Sequence, residues 1–249
     1  MKTQSRLAGL LLASLALSSA AQEGGHPKHW GYEGEVGPEH WQEFEADFGL
    51  CSSGRNQSPI DLRNFIEADL PKIAFDYKPG GYQVVNNGHA IQVDYKPGSK
   101  ITVDGTDFEL KQFHFHSPSE NTIKGRSFPM EAHFVHADAK GNLAVVALMF
   151  EESASNKLLE QVWPHVPKVE NGKAELDPLV SATDLMTADR DYYRYEGSLT
   201  TPPCSEGVHW FVLKRAAKAD IGQLLMVREV LGQANNRPVQ PVGARAVLQ

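Results

Sequence analysis

The chain has 249 residues, 41% of them hydrophobic, and its 24 basic and 31 acidic side chains give a formal charge of -7. That length and apolar content suit one domain with a sizeable core, or two small ones. An acidic surface without a basic stripe disfavours nucleic acid and anionic membranes as partners.

Residues 1–21 read as a secretory signal peptide rather than a buried N-terminal helix. Lys2 and Arg6 form a short positive start, and Leu7 to Leu17 is an apolar stretch too short to span a bilayer. Ser19-Ala20-Ala21 then supplies small residues that a signal peptidase accepts. Cleavage after Ala21 leaves residues 22–249 as the mature domain, and the loss of Lys2 and Arg6 lowers the formal charge from -7 by two, to -9. No later stretch approaches about eighteen consecutive apolar residues, so no membrane span is expected. Cys51 and Cys204 are the two cysteines. In an oxidising compartment they are expected to pair, the other reading being two buried free thiols. Closing so long a loop stabilises by about 5 kcal/mol in the chain-entropy description. The lack of Cys-x-x-Cys spacing argues against a thiolate zinc site.

Short apolar runs broken by turn residues follow in chain order. Predicted strands cover Ile73–Tyr77, Tyr82–Val85, Ile91–Tyr95, Ile101–Val103, Phe108–Phe115, Met130–His136, Leu143–Phe150 and Val208–Leu213. Asn86-Asn87-Gly88, Lys96-Pro97-Gly98 and Asp104-Gly105 supply turns between several of them. Helical patterning is confined to Ser155–Val162 and Ile221–Leu231. With no repeat, linker or low-complexity tract, the mature chain reads as one sheet-dominated domain.

The run Gln112-Phe113-His114-Phe115-His116 carries the chemistry. Residues two apart on a strand share a face, so His114 and His116 point one way and the phenylalanines the other. Two such imidazoles lie about 7 Å apart along the strand and can converge on one metal ion. On the next candidate strand Glu131, His133 and Val135 share a face, while His136 points away as a packed or solvated histidine. If the strands are neighbours, His133 becomes a third nitrogen ligand, and three histidines leave the fourth tetrahedral position of zinc open for water. Copper, iron and nickel also accept imidazole, so spacing alone does not choose the metal. Gln112 shares the face of His114 and Glu131 that of His133, where each can accept the other ring N–H.

Gln-x-His-x-His followed by Glu-x-His resembles the metal site of the α-carbonic anhydrases. The resemblance extends through His29-Trp30-Gly31-Tyr32, Gly37-Pro38-Glu39-His40-Trp41, Asn56-Gln57-Ser58-Pro59-Ile60-Asp61, Asn86-Asn87-Gly88-His89, Ser198-Leu199-Thr200-Thr201-Pro202-Pro203-Cys204 and Asn235-Asn236-Arg237-Pro238-Val239-Gln240-Pro241. It implies a mainly β single domain built on a large, mostly antiparallel twisted central sheet with short surface helices. It also implies Zn2+ held by His114, His116 and His133, with the Asn235 carbonyl orienting His116. Thr200 would accept the proton of zinc-bound hydroxide and donate its own to Glu120. Val135, Val145, Leu199, Val208 and Trp210, with Thr201 on the polar side, would line the pocket for carbon dioxide. His89 would shuttle protons, and Tyr32, Asn87 and Gln92 would hold the water path.

The function implied is reversible hydration of carbon dioxide to bicarbonate and a proton. Two other readings stand beside it: a zinc esterase acting on small esters, which the apolar pocket disfavours, and a non-catalytic carbonic-anhydrase-like binding module, which the complete set of site residues disfavours. Only Ser117-Pro118-Ser119 separates His116 from Glu120, where the best-known animal members carry a longer loop, so a more open rim is expected. The leader and the cysteine pair point to export, into a bacterial periplasm. The resemblance admits a homodimer, although nothing in the sequence specifies its interface.

Overall fold

In the structure, a computed structural model that describes residues 29–249, the turns read from the sequence reverse the chain. The signal peptide expected at residues 1–21 lies outside the described residues. Asp104 and Gly105 both take positive φ, 51° and 73°, as a two-residue hairpin turn of type I′ requires. The described strands are β1 (Asp61–Leu62), β2 (Ala74–Asp76), β3 (Gly81–Asn86), β4 (Ile91–Tyr95), β5 (Lys100–Val103), β6 (Thr106–His116), β7 (Thr122–Ile123), β8 (Met130–Ala137), β9 (Leu143–Glu152), β10 (Lys173–Val180), β11 (Tyr192–Ser198), β12 (Glu206–Leu213) and β13 (Ala217–Ala219). The α-helices are α1 (Leu50–Ser53), α2 (Lys157–Val162) and α3 (Ile221–Leu231).

Eleven strands make one sheet in the order β10-β3-β4-β6-β8-β9-β12-β11, extended by β5 on β6, β2 on β5 and β13 on β9. The pairings are antiparallel except those of β9 with β12 and β13, which are parallel. The sheet is therefore mixed but mostly antiparallel, as expected. Strands β1 and β7 form a separate parallel pair.

Alternation along the central strands sends side chains into two cores. Phe113, Phe115, Phe134, Val146, Leu148 and Phe150 pack on one face with Leu158, Leu159, Trp163, Leu224 and Val227 from the helical side. Each such burial stabilises by roughly 1.5–3 kcal/mol. The opposite face carries a smaller cluster around Val145, Ala147, Met149, Val208 and Trp210. Both predicted helices form where turn chemistry allows. Asn156 caps α2 by accepting from Leu158 and Leu159 N–H, and Asp220 with Gln223 makes a capping box on α3, which Gly232 ends at φ 72°. No described helix is long and apolar enough to cross a membrane.

Five described strands escape the sequence reading: β1, β7 and β13, of only two or three residues each, and β10 and β11, which lie at the ends of the main strand order. An end strand is half solvated, so its apolar alternation is weak. Pro178, which can donate no ladder hydrogen bond, is tolerated in β10 for the same reason.

Candidate active site

The register of β6 against β8 pairs His114 with His133 and His116 with Glu131. Directly opposed residues share a face, so the three histidines converge on the side away from the phenylalanine core. The ligand atoms of His114, His116 and His133 all lie within 4.8 Å of one another. His116 and His133 are buried, and His114 is half-buried.

Each ring is held by a different acceptor. Gln112 Oε1 accepts from His114 Nδ1 at 2.8 Å, the Asn235 carbonyl from His116 Nδ1 at 2.7 Å, and Glu131 Oε1 from His133 Nε2 at 2.9 Å. These bonds leave His114 Nε2, His116 Nε2 and His133 Nδ1 as lone pairs. Burial holds all three imidazoles below their ordinary pKa, so they are neutral, the form that binds a metal. The supports are themselves fixed. Glu131 Oε2 accepts the backbone N–H of Glu120 and of Asn121, and Glu131 Oε1 also accepts from Asn121 Nδ2. Asn235 Oδ1 accepts from the Ser117 N–H, while its Nδ2 donates to the His89 and Phe115 carbonyls.

Glu120 is buried beside the triad. Burial pushes its carboxyl up to about 8, opposed by the Arg237 N–H and the Thr200 hydroxyl that hydrogen-bond it. Its Oε1 accepts from Arg237 N at 2.8 Å, and Oε2 lies 3.4 Å from His116 Nε2 and 3.8 Å from His133 Nδ1. Neither His116 Nε2 nor Glu120 Oε2 has a hydrogen-bond partner among the described residues, although both atoms are buried. Leaving a buried imidazole lone pair and a carboxylate oxygen unpartnered is costly. A divalent cation between the three nitrogens would satisfy the first and favour the ionised form of the second, so the residues present fit a metal.

The expected apolar wall assembles beside the triad. Cross-strand register aligns Gln112 with Val135, Val135 with Val145, and Val145 with Trp210. Val208 joins this cluster, with Leu199 packed against it. The Trp210 ring lies edge-on to His133 at 4.9 Å. Thr201 is half-buried in the loop before Cys204, where its carbonyl accepts from the Cys204 N–H.

The residues expected along the proton path have more varied surroundings. Asn87 Oδ1 accepts the backbone N–H of His89 and Ala90, so it shapes the turn that presents His89. Gln92 donates to Asp94 at 2.6 Å. Tyr32 is buried among Trp30, Trp41 and His89, and burial with the Glu120 charge raises its hydroxyl pKa well above 10. His89 stacks on Trp30, and burial with the neighbouring His29 lowers its pKa to about 4. His136, on the other face, is spent: Tyr77 Oη lies 2.7 Å from its Nε2 and the Ala144 carbonyl 3.2 Å from its Nδ1.

Cys51 and Cys204 are joined in a disulfide. One residue with a structural part in the site had no assigned role in the sequence reading. Arg237 is buried, and its guanidinium donates to Gln57 Oε1, the Ser58 carbonyl and the Cys51 carbonyl. Gln57 in turn donates to the Cys204 carbonyl. Arg237 thus ties the disulfide region to Glu120, and a charged residue inside an otherwise polar motif was the available signal.

The chain matches the model of the eukaryotic-type carbonic anhydrase family over residues 36–249. It is 46% identical to a carbonic anhydrase of Neisseria gonorrhoeae across 100% of this chain and 98% of that protein. A hyperthermostable carbonic anhydrase from a hydrothermal vent chimney superposes with TM-score 0.86 at 49% identity, covering 88% of this chain and 99% of that one. The α-carbonic anhydrase of Thermovibrio ammonificans, solved with sulfanilamide, gives 0.87 at 46% identity over 89% and 99%. The fold, the converging histidines and these likenesses agree: the chain belongs to the eukaryotic-type, or α, carbonic anhydrase family, whose general activity is the hydration of carbon dioxide.

Proposed function

We propose that this chain binds zinc at His114, His116 and His133 and there catalyses the reversible hydration of carbon dioxide to bicarbonate and a proton. The observation that carries the reading is the division of labour on the three rings, each with one nitrogen hydrogen-bonded to an acceptor and the other aimed into a common centre. Zinc in such a site acidifies a coordinated water to near neutrality, a property for which carbonic anhydrases are the standard example.

The chain's own residues supply orientation, exclusion and proton handling. Thr200, by donating to the Glu120 carboxylate, keeps its oxygen lone pairs turned toward the centre as an acceptor. The Arg237 N–H and the buried guanidinium behind it keep Glu120 in place. Val135, Val145, Leu199, Val208 and Trp210 offer an uncharged substrate a wall without competing polar groups, and Thr201 supplies the polar side. His89, presented on the turn that Asn87 Oδ1 shapes, carries the surplus proton outward, with Tyr32, Asn87 and Gln92 lining its route. The leader read at residues 1–21 and the disulfide support export to an oxidising compartment, and the bacterial relatives support a periplasm.

Stopped-flow hydration of carbon dioxide with a pH indicator, before and after chelation, tests this reading. Fast hydration that vanishes with the metal and returns with added zinc is expected. A folded, zinc-loaded protein without hydration activity would sink it. Hydrolysis of small activated esters by such a protein would then favour the esterase.

A further inference from the structure

The loop that carries Thr200 is tied at both ends to one distant segment. At its start Ser58 and Ser198 bond reciprocally: the Ser58 N–H donates to Ser198 Oγ at 2.9 Å, and the Ser198 N–H to Ser58 Oγ at 3.0 Å. At its end Cys204 is disulfide-bonded to Cys51 across 153 residues. The Cys204 carbonyl also accepts from Gln57 Nε2 at 3.0 Å. Two glycines let the segments approach so closely. A Cβ on Gly54 would collide with Gln57 Nε2 and Glu206 Oε1, and one on Gly197 with Ser58 Oγ.

Glu206 stands just beyond this loop, at the start of β12, and the chemistry proposed above gives it no part. Its Oε1 accepts from the Asn56 N–H at 2.6 Å and from Gln57 Nε2 at 3.1 Å. An ionised acceptor makes such bonds stronger than neutral ones. Gln57 is buried, and its own oxygen accepts from Arg237 Nη1 at 2.8 Å. The same arginine donates from Nη2 to the Cys51 carbonyl at 2.7 Å and from its backbone N–H to Glu120 Oε1 at 2.8 Å. Through one buried amide, Glu206 therefore reaches both the end of the Thr200 loop and the backbone that fixes Glu120. The disulfide spans the same two segments, so a covalent and a hydrogen-bonded tie lie side by side.

Resting on the reading of Thr200 and Glu120 as the pair that presents an acceptor to the centre, we propose that Glu206 is a positioning residue for the hydration step. It holds the Thr200 loop and Glu120 in place in parallel with the disulfide. Loss of either tie leaves the other to keep the geometry. Loss of both frees the end of the loop, and Thr200 no longer meets Glu120 in the productive orientation. Two restraints that share one task are non-additive, so the double loss exceeds the product of the single ones.

The test uses the full zinc-loaded protein unaltered, with Glu206→Ala, with Cys51→Ala and Cys204→Ala together, with all three changes, and with Glu206→Gln. Proton export follows bicarbonate release in the proposed cycle, so kcat/KM reads hydration and kcat in dilute buffer reads export. Removing either tie alone is expected to lower kcat/KM about threefold, and removing both about a hundredfold rather than about tenfold. Zinc content is expected to stay the same throughout. Amide hydrogen exchange over residues 199–205 should quicken most in the triple variant. Glu206→Gln keeps an oxygen acceptor and should restore kcat/KM. Losses that simply multiply would overturn the inference, as would a Gln variant as slow as Ala. So would a triple variant that melts earlier yet keeps its kcat/KM, since Glu206 would then serve stability alone. If the triple variant does not fold, the oxidised Ala and Gln variants decide: a loss with Ala that Gln restores supports the inference, and no loss overturns it. An unaltered, zinc-loaded protein without hydration activity would instead remove the reading of Thr200 and Glu120 itself.

Discussion

His133 and His136 stand three residues apart on β8 and show how the two faces of one strand make different molecules of the same side chain. His133 gives Nε2 to Glu131 and turns Nδ1 toward two other imidazoles. His136 has both nitrogens engaged, by the Tyr77 hydroxyl and the Ala144 carbonyl, inside the phenylalanine-rich core. Residue type and burial are the same in both cases. What separates a candidate ligand from a structural histidine is whether its neighbours leave a lone pair over and aim it at others.

The largest effect that would sharpen this contrast is on metal retention. His133→Ala is expected to lose bound zinc on dialysis and to hydrate carbon dioxide only at background, while His136→Ala keeps its metal. Metal analysis of the two purified variants checks this, and equal zinc content would erase the distinction between the faces.

Next in size, Phe134→Ala removes a fully buried ring next to His133 but on the opposite face. It should cost about 3–5 kcal/mol of stability, while kcat/KM of the folded fraction is little changed. Denaturant unfolding alongside kinetics measures both. A large kinetic loss would mean that the two cores are mechanically coupled.

The smallest expected effect is set by pH. Burial lowers the pKa of His136 from 6.5 to about 4, against the weaker opposing pull of its backbone hydrogen bonds. Because the folded value is depressed, the unfolded chain binds the extra proton first. The stability from a neutral His136 is present above about pH 6.5 and lost progressively toward pH 4, by about 3 kcal/mol in all. His136→Gln should unfold with a correspondingly shallower loss between pH 7 and pH 4. An unchanged slope would show that His136 contributes nothing to acid lability.

Alternation made much of this legible. Gln112, His114 and His116 at period two, with Glu131 and His133 on another strand, indicated one polar face before any register was known. The register of β6 against β8 then brought them opposite one another. The hairpin at Asp104-Gly105 and helix α3 were equally plain, because their turn and cap residues act locally. Contacts made across long sequence distances were illegible without the likeness to a family. Asn235 orients His116, and Arg237 joins Glu120 to Gln57 and Cys51. No local periodicity encodes such pairings, which arise only when the sheet has formed. The edge strands β10 and β11 were missed because partial solvation dilutes the one signal strands carry.

The Asn235 carbonyl behind His116 has a consequence for how the protein is made. A chain growing from its N-terminus contains all three histidines once residue 133 has been added, yet the group that sets the His116 tautomer is synthesised only at residue 235. Until then a metal ion meets imidazoles whose nitrogens are not yet assigned, beside a Glu120 not yet held by Arg237. Selective loading therefore belongs to the finished fold rather than to the nascent chain, and loss of the segment around residues 235–237 would disable a centre whose ligands all lie far upstream.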